Sequence, residues 1–380
     1  MKKLGLVFIS LILITSILGI PAVYAQAGPV VVTSAAKVDF PLNLNFSLSA
    51  KSSADIVDIR LRYSVEQESY ADVISEAFVT VTPAQSVDVT WSLDMRRIGG
   101  LPPGTTVHYW WVIRDAAGEK LETSPASVTF ADNRHNWDEL TESLITIYWY
   151  NGGTKFAAEV MSAAQESLTK LNSDTGAKLT EPLKIYVYAS TQDMLNALIF
   201  PYEWTGAVTF PPYNIIVIGL EPEYIDWGKS TIAHELTHVA VHQVTANPYS
   251  YLPTWLDEGL AMYSEGLIDV SISTALMKAV KANSLISIRS LASPFSALSD
   301  LAILSYAESF SIVDYLISTY GQEKMLELLT VFSHGSNYDD ALNTVYGFNI
   351  DGLNTLWRDY VMEQFQPART VAGLVGAATY

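Results

Sequence analysis

The stretch Thr231-Ile232-Ala233-His234-Glu235-Leu236-Thr237-His238-Val239-Ala240-Val241-His242-Gln243-Val244 carries the pattern H-E-x-x-H inside an apolar run with no proline or glycine. Residues four apart on a helix share a face, so the imidazoles of His234 and His238 can reach one metal ion. Glu235 lies between them, at the edge of such a site, where a carboxylate can take a proton from water. Two histidines and a glutamate among Ile232, Ala233, Leu236, Val239 and Ala240 are costly to bury without partners, which favours a bound metal. His242 extends the stripe by four residues. On a straight helix it stands about 12 Å along the axis from His234, too far to share one ion with both. A place behind the ligands or at the surface is expected for it.

A catalytic zinc ion (Zn2+) usually takes three protein ligands and leaves one position open. The chain has no cysteine, so His, Asp and Glu are the available metal ligands. Downstream, Pro253-Thr254-Trp255-Leu256-Asp257-Glu258-Gly259-Leu260-Ala261-Met262-Tyr263 brings two acids. Neighbouring helical residues point about 100° apart, so only one of them can face the metal. Glu258 is the natural third ligand and Asp257 its competitor.

His-Glu-Leu-Thr-His followed by Trp-Leu-Asp-Glu-Gly-Leu-Ala resembles the gluzincin zinc peptidases, and among them the bacterial peptidase MA-like family. The resemblance runs from about Asn133 to Phe365. It includes Tyr306-Ala307-Glu308-Ser309-Phe310 and Tyr320-Gly321-Gln322-Glu323-Lys324. It implies that Glu258 is the third zinc ligand. It also implies hydrolysis of peptide bonds by a zinc-activated water, with Glu235 as general base. Gluzincins often use a downstream Tyr or His to stabilise the oxyanion. Tyr306, expected to open a helix, is the candidate here, against the plainer reading of a core aromatic. The spacing departs slightly from the pattern: nineteen residues separate His238 from Glu258, one more than in aminopeptidase N-like relatives. The loop containing Asn247-Pro248 and Leu252-Pro253 can absorb it. The resemblance further implies an edge strand that holds the peptide above the motif helix. Gly206-Ala207-Val208-Thr209-Phe210 is the candidate, with an interior strand as the alternative.

Upstream, the chain alternates at period two from about Val30 to Phe130. Leu42, Leu44, Phe46 and Leu48 fall on one face, and Ile59, Leu61, Tyr63-Val65, Phe78-Val81, Val87, Val89, Trp91 and Leu93 follow. This predicts an antiparallel β-sandwich. Leu101-Pro102-Pro103-Gly104 before Val107-His108-Tyr109-Trp110-Trp111-Val112 resembles the late strands of fibronectin type III domains. His108 has no metal-spaced partner and reads as a strand residue; His135 and His334 read as surface or packing residues. After Ala131 to Trp137 the pattern changes to strands at Leu144–Tyr150, Leu183–Tyr188, Ala207–Phe210 and Ile215–Ile218. Helices are expected at Lys155–Leu171, Gln192–Leu198, Tyr306–Tyr320 and Glu323–Phe332. The expected architecture is therefore multidomain. An antiparallel β-sandwich precedes an α+β zincin-like metallopeptidase domain with a helical C-terminal subdomain.

The expected boundaries are residues 1–25 for a signal peptide, 26–131 for the sandwich, 132–365 for the peptidase domain and 366–380 for a tail. Lys2 and Lys3, the apolar run Leu4 to Ile20, Pro21 and Val23-Tyr24-Ala25 read as an export signal cleaved after Ala25. This predicts a secreted or cell-surface protein, with an uncleaved N-terminal anchor as the alternative. No later segment reads as long enough to span a membrane, and Val371 to Ala378 is too short. The 380 residues carry 40 acids against 22 bases, a formal charge of −18, which argues against nucleic acid or anionic lipid as partners. The expected partner is a peptide or protein substrate. Two other readings remain open at this stage. One is a surface binding protein with an inactive peptidase-like domain. The other is a zinc hydrolase of non-peptide amides or esters.

Overall fold

The computed structural model describes residues 28–201, 205–266, 270–296 and 298–365. The expected signal segment and tail lie outside these. Seven strands come first: β1 (Val30–Asp39), β2 (Asn43–Val65), β3 (Ser75–Val79), β4 (Ala84–Asp94), β5 (Thr105–Asp115), β6 (Lys120–Glu122) and β7 (Ala126–Phe130). All of their pairings are antiparallel. The N-terminal half of β2 pairs with β1 and β4, and its C-terminal half with β3 and β5. A straight strand would carry Phe46 about 56 Å from Tyr63. Instead the Phe46 ring lies 5.0 Å from that of Tyr109, the β5 residue paired with Tyr63. The register breaks between Lys51 and Ile56. Strand β2 therefore turns a corner there and the sheet folds into two layers, which gives the sandwich. Leu44, Phe46, Leu48, Ile59 and Leu61 fill the space between them. Leu42 departs from the expected stripe: it sits in the turn before β2 and is exposed.

A second sheet follows in the order β11-β12-β10-β9-β8, built from β8 (Asp138–Glu142), β9 (Ile145–Trp149), β10 (Leu183–Tyr188), β11 (Ala207–Phe210) and β12 (Ile215–Gly219). The three inner strands run parallel, and both outer strands are antiparallel to their neighbours. Alternation along the inner strands splits the two faces. Ile145, Ile147, Ile185, Val187, Ile216 and Ile218 pack against helices α1 (Gly153–Thr175) and, after the short α2 (Thr191–Leu195), α3 (Ile225–Thr245). Tyr186, Tyr188, Ile215 and Val217 face the opposite way and join the sandwich core. A Cβ on Gly104, in the Pro-Gly turn of the sandwich at φ +82°, would sit 2.0 Å from the Tyr186 hydroxyl, so only glycine allows this approach. The linker is pinned as well. The Tyr188 hydroxyl donates to buried Asp132 at 2.9 Å, and Arg134 pairs with the same carboxylate at 2.6 Å.

The remainder is helical: α4 (Thr254–Glu265), α5 (Val270–Ala282), α6 (Ile288–Leu291), α7 (Ser299–Tyr320), α8 (Gln322–Ser333), α9 (Tyr338–Tyr346) and α10 (Ile350–Phe365). Two expectations change here. Helix α7 begins seven residues before Tyr306, which therefore lies within the helix and does not open it. The same helix is long and apolar enough to cross a membrane by length and composition, contrary to the reading that no later segment is. It is instead the central helix of the C-terminal core, with Ala307, Ile312, Val313 and Leu316 fully buried.

Candidate metal centre

Helix α3 lies between two cores. Ile232, Leu236 and Val239 pack under the second sheet, while Ala240 and Val241 join the helical core. The remaining stripe presents His234 and His238 to α4, their rings 4.9 Å apart. Helix α4 is held against α7 by a close approach at Gly259, where a Cβ would meet the Ser309 carbonyl oxygen at 2.5 Å. That approach fixes the height of the preceding residue, Glu258, opposite the two histidines.

His234 Nε2 lies 3.5 Å and His238 Nε2 3.6 Å from one oxygen of Glu258. One ligand atom from each of the three residues falls within 4.8 Å of the others. That Glu258 oxygen is buried and accepts no hydrogen bond among the described residues. A buried carboxylate oxygen without a donor is costly, and two imidazole nitrogens aimed at it do not relieve that cost unless they carry protons or share a cation. The three side chains fit a zinc ion by donor type and by convergence.

The outer ring nitrogens are engaged too. His234 Nδ1 lies 2.7 Å from Glu265, and His238 Nδ1 lies 3.1 Å from Asp257. A carboxylate on Nδ1 fixes the tautomer that leaves Nε2 free to ligate. Asp257, the competitor for the third ligand, thus orients His238 from behind, and Glu258 alone faces the centre. Burial lowers the pKa of both imidazoles, but the surrounding carboxylates reverse this. Glu258 and Glu265 carry His234 up to about 10, and Asp257 with Glu258 carries His238 up to about 9. The cluster is a hole of negative potential that wants cationic charge.

Glu235 is nearly buried on the same helix, and the Thr209 hydroxyl of β11 donates to its carboxylate. Strand β11 is the outer strand of its sheet and pairs with β12 alone among the described residues, so the edge alternative holds for residues 207–210. Tyr306 is partly buried, with its ring edge-on to Phe295 at 5.2 Å. Burial raises its phenol pKa, and the charges of Glu258, Glu235 and Glu265 raise it further. The phenol therefore keeps its proton and remains a donor beside those carboxylates. His242 points away from the centre, its Nε2 2.9 Å from a Glu68 oxygen in the sandwich. His108 bonds Ser127 across two strands, and His135 stacks on Tyr150. Sequence reasoning missed Glu265 and Glu68, and it named Thr209 within the edge strand without its bond to Glu235. Glu265 alone left a signal, since it stands two helical turns after Glu258, on the same face.

Among solved structures, the chain is similar to an M1 zinc metallopeptidase from Deinococcus radiodurans, at 11% identity and TM-score 0.39 over 90% of this chain and 96% of that one. It is similar to Legionella pneumophila aminopeptidase A at 12% identity and TM-score 0.40, covering 87% of this chain, and it spans about half (50%) of that protein's length. It is also similar to yeast LTA4 hydrolase, at 12% identity and TM-score 0.34, over 85% of this chain and 63% of that one. Likenesses this distant carry no argument about activity. Among curated proteins none matches. The family model of the peptidase MA superfamily matches residues 163–363, just over half of the sequence and the whole of the His234, Glu235, His238 and Glu258 constellation, and the chain belongs to that superfamily.

Proposed function

We propose that this protein is a zinc-dependent peptidase, exported from the cell, in which His234, His238 and Glu258 hold the metal. The observation that carries the reading is the convergence of two Nε2 atoms on a buried Glu258 oxygen that has no hydrogen-bond partner among the described residues. When bound, zinc supplies a Lewis acid that polarises the scissile carbonyl and acidifies water. Glu235 takes the proton of the attacking water and returns it to the leaving amine. Its bond from Thr209 orients the carboxylate and ties it to the edge strand. Tyr306, kept protonated, donates to the developing oxyanion. Asp257 and Glu265 hold the two imidazole rings in place. The exposed edge of β11 takes the substrate backbone as an added strand. Lys2, Lys3, the apolar run after them and Ala25 support export.

The test combines metal analysis with one substitution. The purified protein should hold about one zinc per chain. Glu235→Gln should keep that zinc and lose cleavage of a peptide library by about a hundredfold or more. Undiminished cleavage by this variant would remove Glu235 as the base. A protein that takes up no zinc would favour a binding role for the sandwich.

A further inference from the structure

Beside the metal centre, on the His238 side, a cleft of about 440 Å³ opens between the motif helix and the sandwich. That volume lies within the usual range of pockets that enclose a ligand group. His238 and Asp257 form the wall it shares with the metal centre. The opposite wall comes from the segment after β2. The Glu68 N–H donates to the Pro212 carbonyl at 2.7 Å, and the Glu68 carboxylate meets His242 at 2.9 Å. The Tyr70 hydroxyl donates to the other Glu68 oxygen at 3.3 Å. Thr245, at the end of α3, and Ala246, Asn247, Ser250, Tyr251 and Leu252, from the loop between α3 and α4, form the floor, so the cleft mixes polar groups with the apolar surface of the tyrosines and prolines.

The cleft is continuous with the edge strand. Thr209 of β11 touches Glu235, and Pro211 and Pro212, which follow directly, line the cleft. A peptide laid along β11 passes from the general base into the cleft within a few residues, with alternate side chains turned to one side.

We infer that this cleft is a side-chain subsite for a large aromatic or apolar residue of the substrate, and that the sandwich supplies its outer wall; this rests on the peptidase reading. The carboxylates around it already have hydrogen-bond partners, Asp257 in His238 and Glu68 in His242 and Tyr70, so these oxygens are occupied before a substrate side chain arrives. Tyr70 and Tyr251 are 57% and 91% exposed, and aromatic surface of this kind gains when a substrate ring covers it. The Glu68–His242 pair and the Glu68 bond to Pro212 hold that wall at a fixed distance from the motif helix.

The experiment uses full-length, zinc-loaded Glu235→Gln protein and a set of peptides identical except for one residue, set to Gly, Leu, Phe, Lys or Glu and moved along the sequence. Calorimetry should find one position at which Phe binds at least about tenfold more tightly than Gly, as expected for covering an aromatic side chain. Tyr70→Ala and Tyr251→Ala should cut that ratio below about threefold with zinc content unchanged, and Tyr70→Phe should retain it. A ratio that survives both alanine variants, or a preference for Lys, overturns the subsite. Hydrolysis by the wild-type protein separates the two readings. Cleavage with a ratio indifferent to the tyrosines leaves a peptidase without this subsite. Ring-dependent binding without wild-type cleavage removes the peptidase and, with it, the substrate subsite, leaving a peptide-binding cleft. Failure of every peptide to bind removes the subsite, and absence of wild-type cleavage as well removes both.

Discussion

The histidine stripe of α3 has two ends with opposite surroundings. At one end His234 and His238 are each gripped on Nδ1 by a carboxylate of α4, while both Nε2 atoms face Glu258. At the other end His242, the same residue type one turn further on, meets a single carboxylate from a different part of the chain. Spacing along the helix puts all three on one face and makes the pairs 234/238 and 238/242 equivalent. The packed partner gathers two of them with Glu258 into the candidate metal centre and makes the third a clasp to the sandwich. An imidazole's role is thus set by what faces each of its nitrogens.

Removing the group the first two share should have the largest effect. Glu258→Ala should take zinc from about one per chain to near zero and abolish hydrolysis, measured by metal analysis and peptide cleavage. His242→Gln should leave zinc at one per chain, because its partner lies in the sandwich. Loss of zinc from that variant would erase the contrast between the two ends.

Carboxylates behind the ring should matter less than the ligand. Glu265→Ala and Asp257→Asn should each weaken zinc affinity by about 10–100-fold, read by competition with a chelator, while a saturated sample keeps its metal. Equal losses from the two would show that the rings are held alike.

Protons can stand in for the metal. With His234 raised to about 10 and His238 to about 9 from an ordinary 6.5, the imidazolium–carboxylate pairs stabilise the metal-free fold fully below pH 6.5. That contribution fades as pH rises and is lost through about 9 and about 10. The Tm of chelated protein should therefore fall between pH 7 and 10, and the Tm of zinc-loaded protein should fall less. Parallel pH profiles would mean that the cluster does not trade protons for metal.

The smallest effects belong to the clasp. The Glu68–His242 pair is partly exposed, and Glu68→Gln should lower stability by less than about 1 kcal/mol in chemical denaturation. Glu308 offers a contrast within the helical core. Burial pushes its carboxyl up to about 8, although the Ile286 N–H donates to it. A raised acid costs the fold stability as pH climbs above its unfolded value, so Glu308→Gln should stabilise the protein by more than about 1 kcal/mol at pH 8 and less at pH 5.

Legibility in the sequence followed how local the cause was. Strands β9, β10 and β12 stand out because apolar runs mark buried strands. Strand β8, Asp-Glu-Leu-Thr-Glu, carries no apolar alternation, and its strand character comes from pairing with β9 at an exposed edge. The start of α7 was misplaced because Ala302 and Ser305 face the core with small side chains that leave a weak period. The corner in β2 left no clear mark at all. Two stretches of alternation read as separate strands; the unbroken span of β2, its register break and the 5.0 Å approach of the Phe46 and Tyr109 rings reveal one strand serving both layers.

By itself the sequence determined which residues can share a face: His234 with His238 on one helix, and only one of Asp257 and Glu258 on the next. These follow from helical spacing, which is fixed by the backbone. The tertiary structure alone decided that Asp257 and Glu265 back the rings, that Thr209 orients Glu235, and that Glu68 reaches His242 from 174 positions away. Such pairings depend on how helices and sheets pack against one another, and spacing along the chain does not encode them.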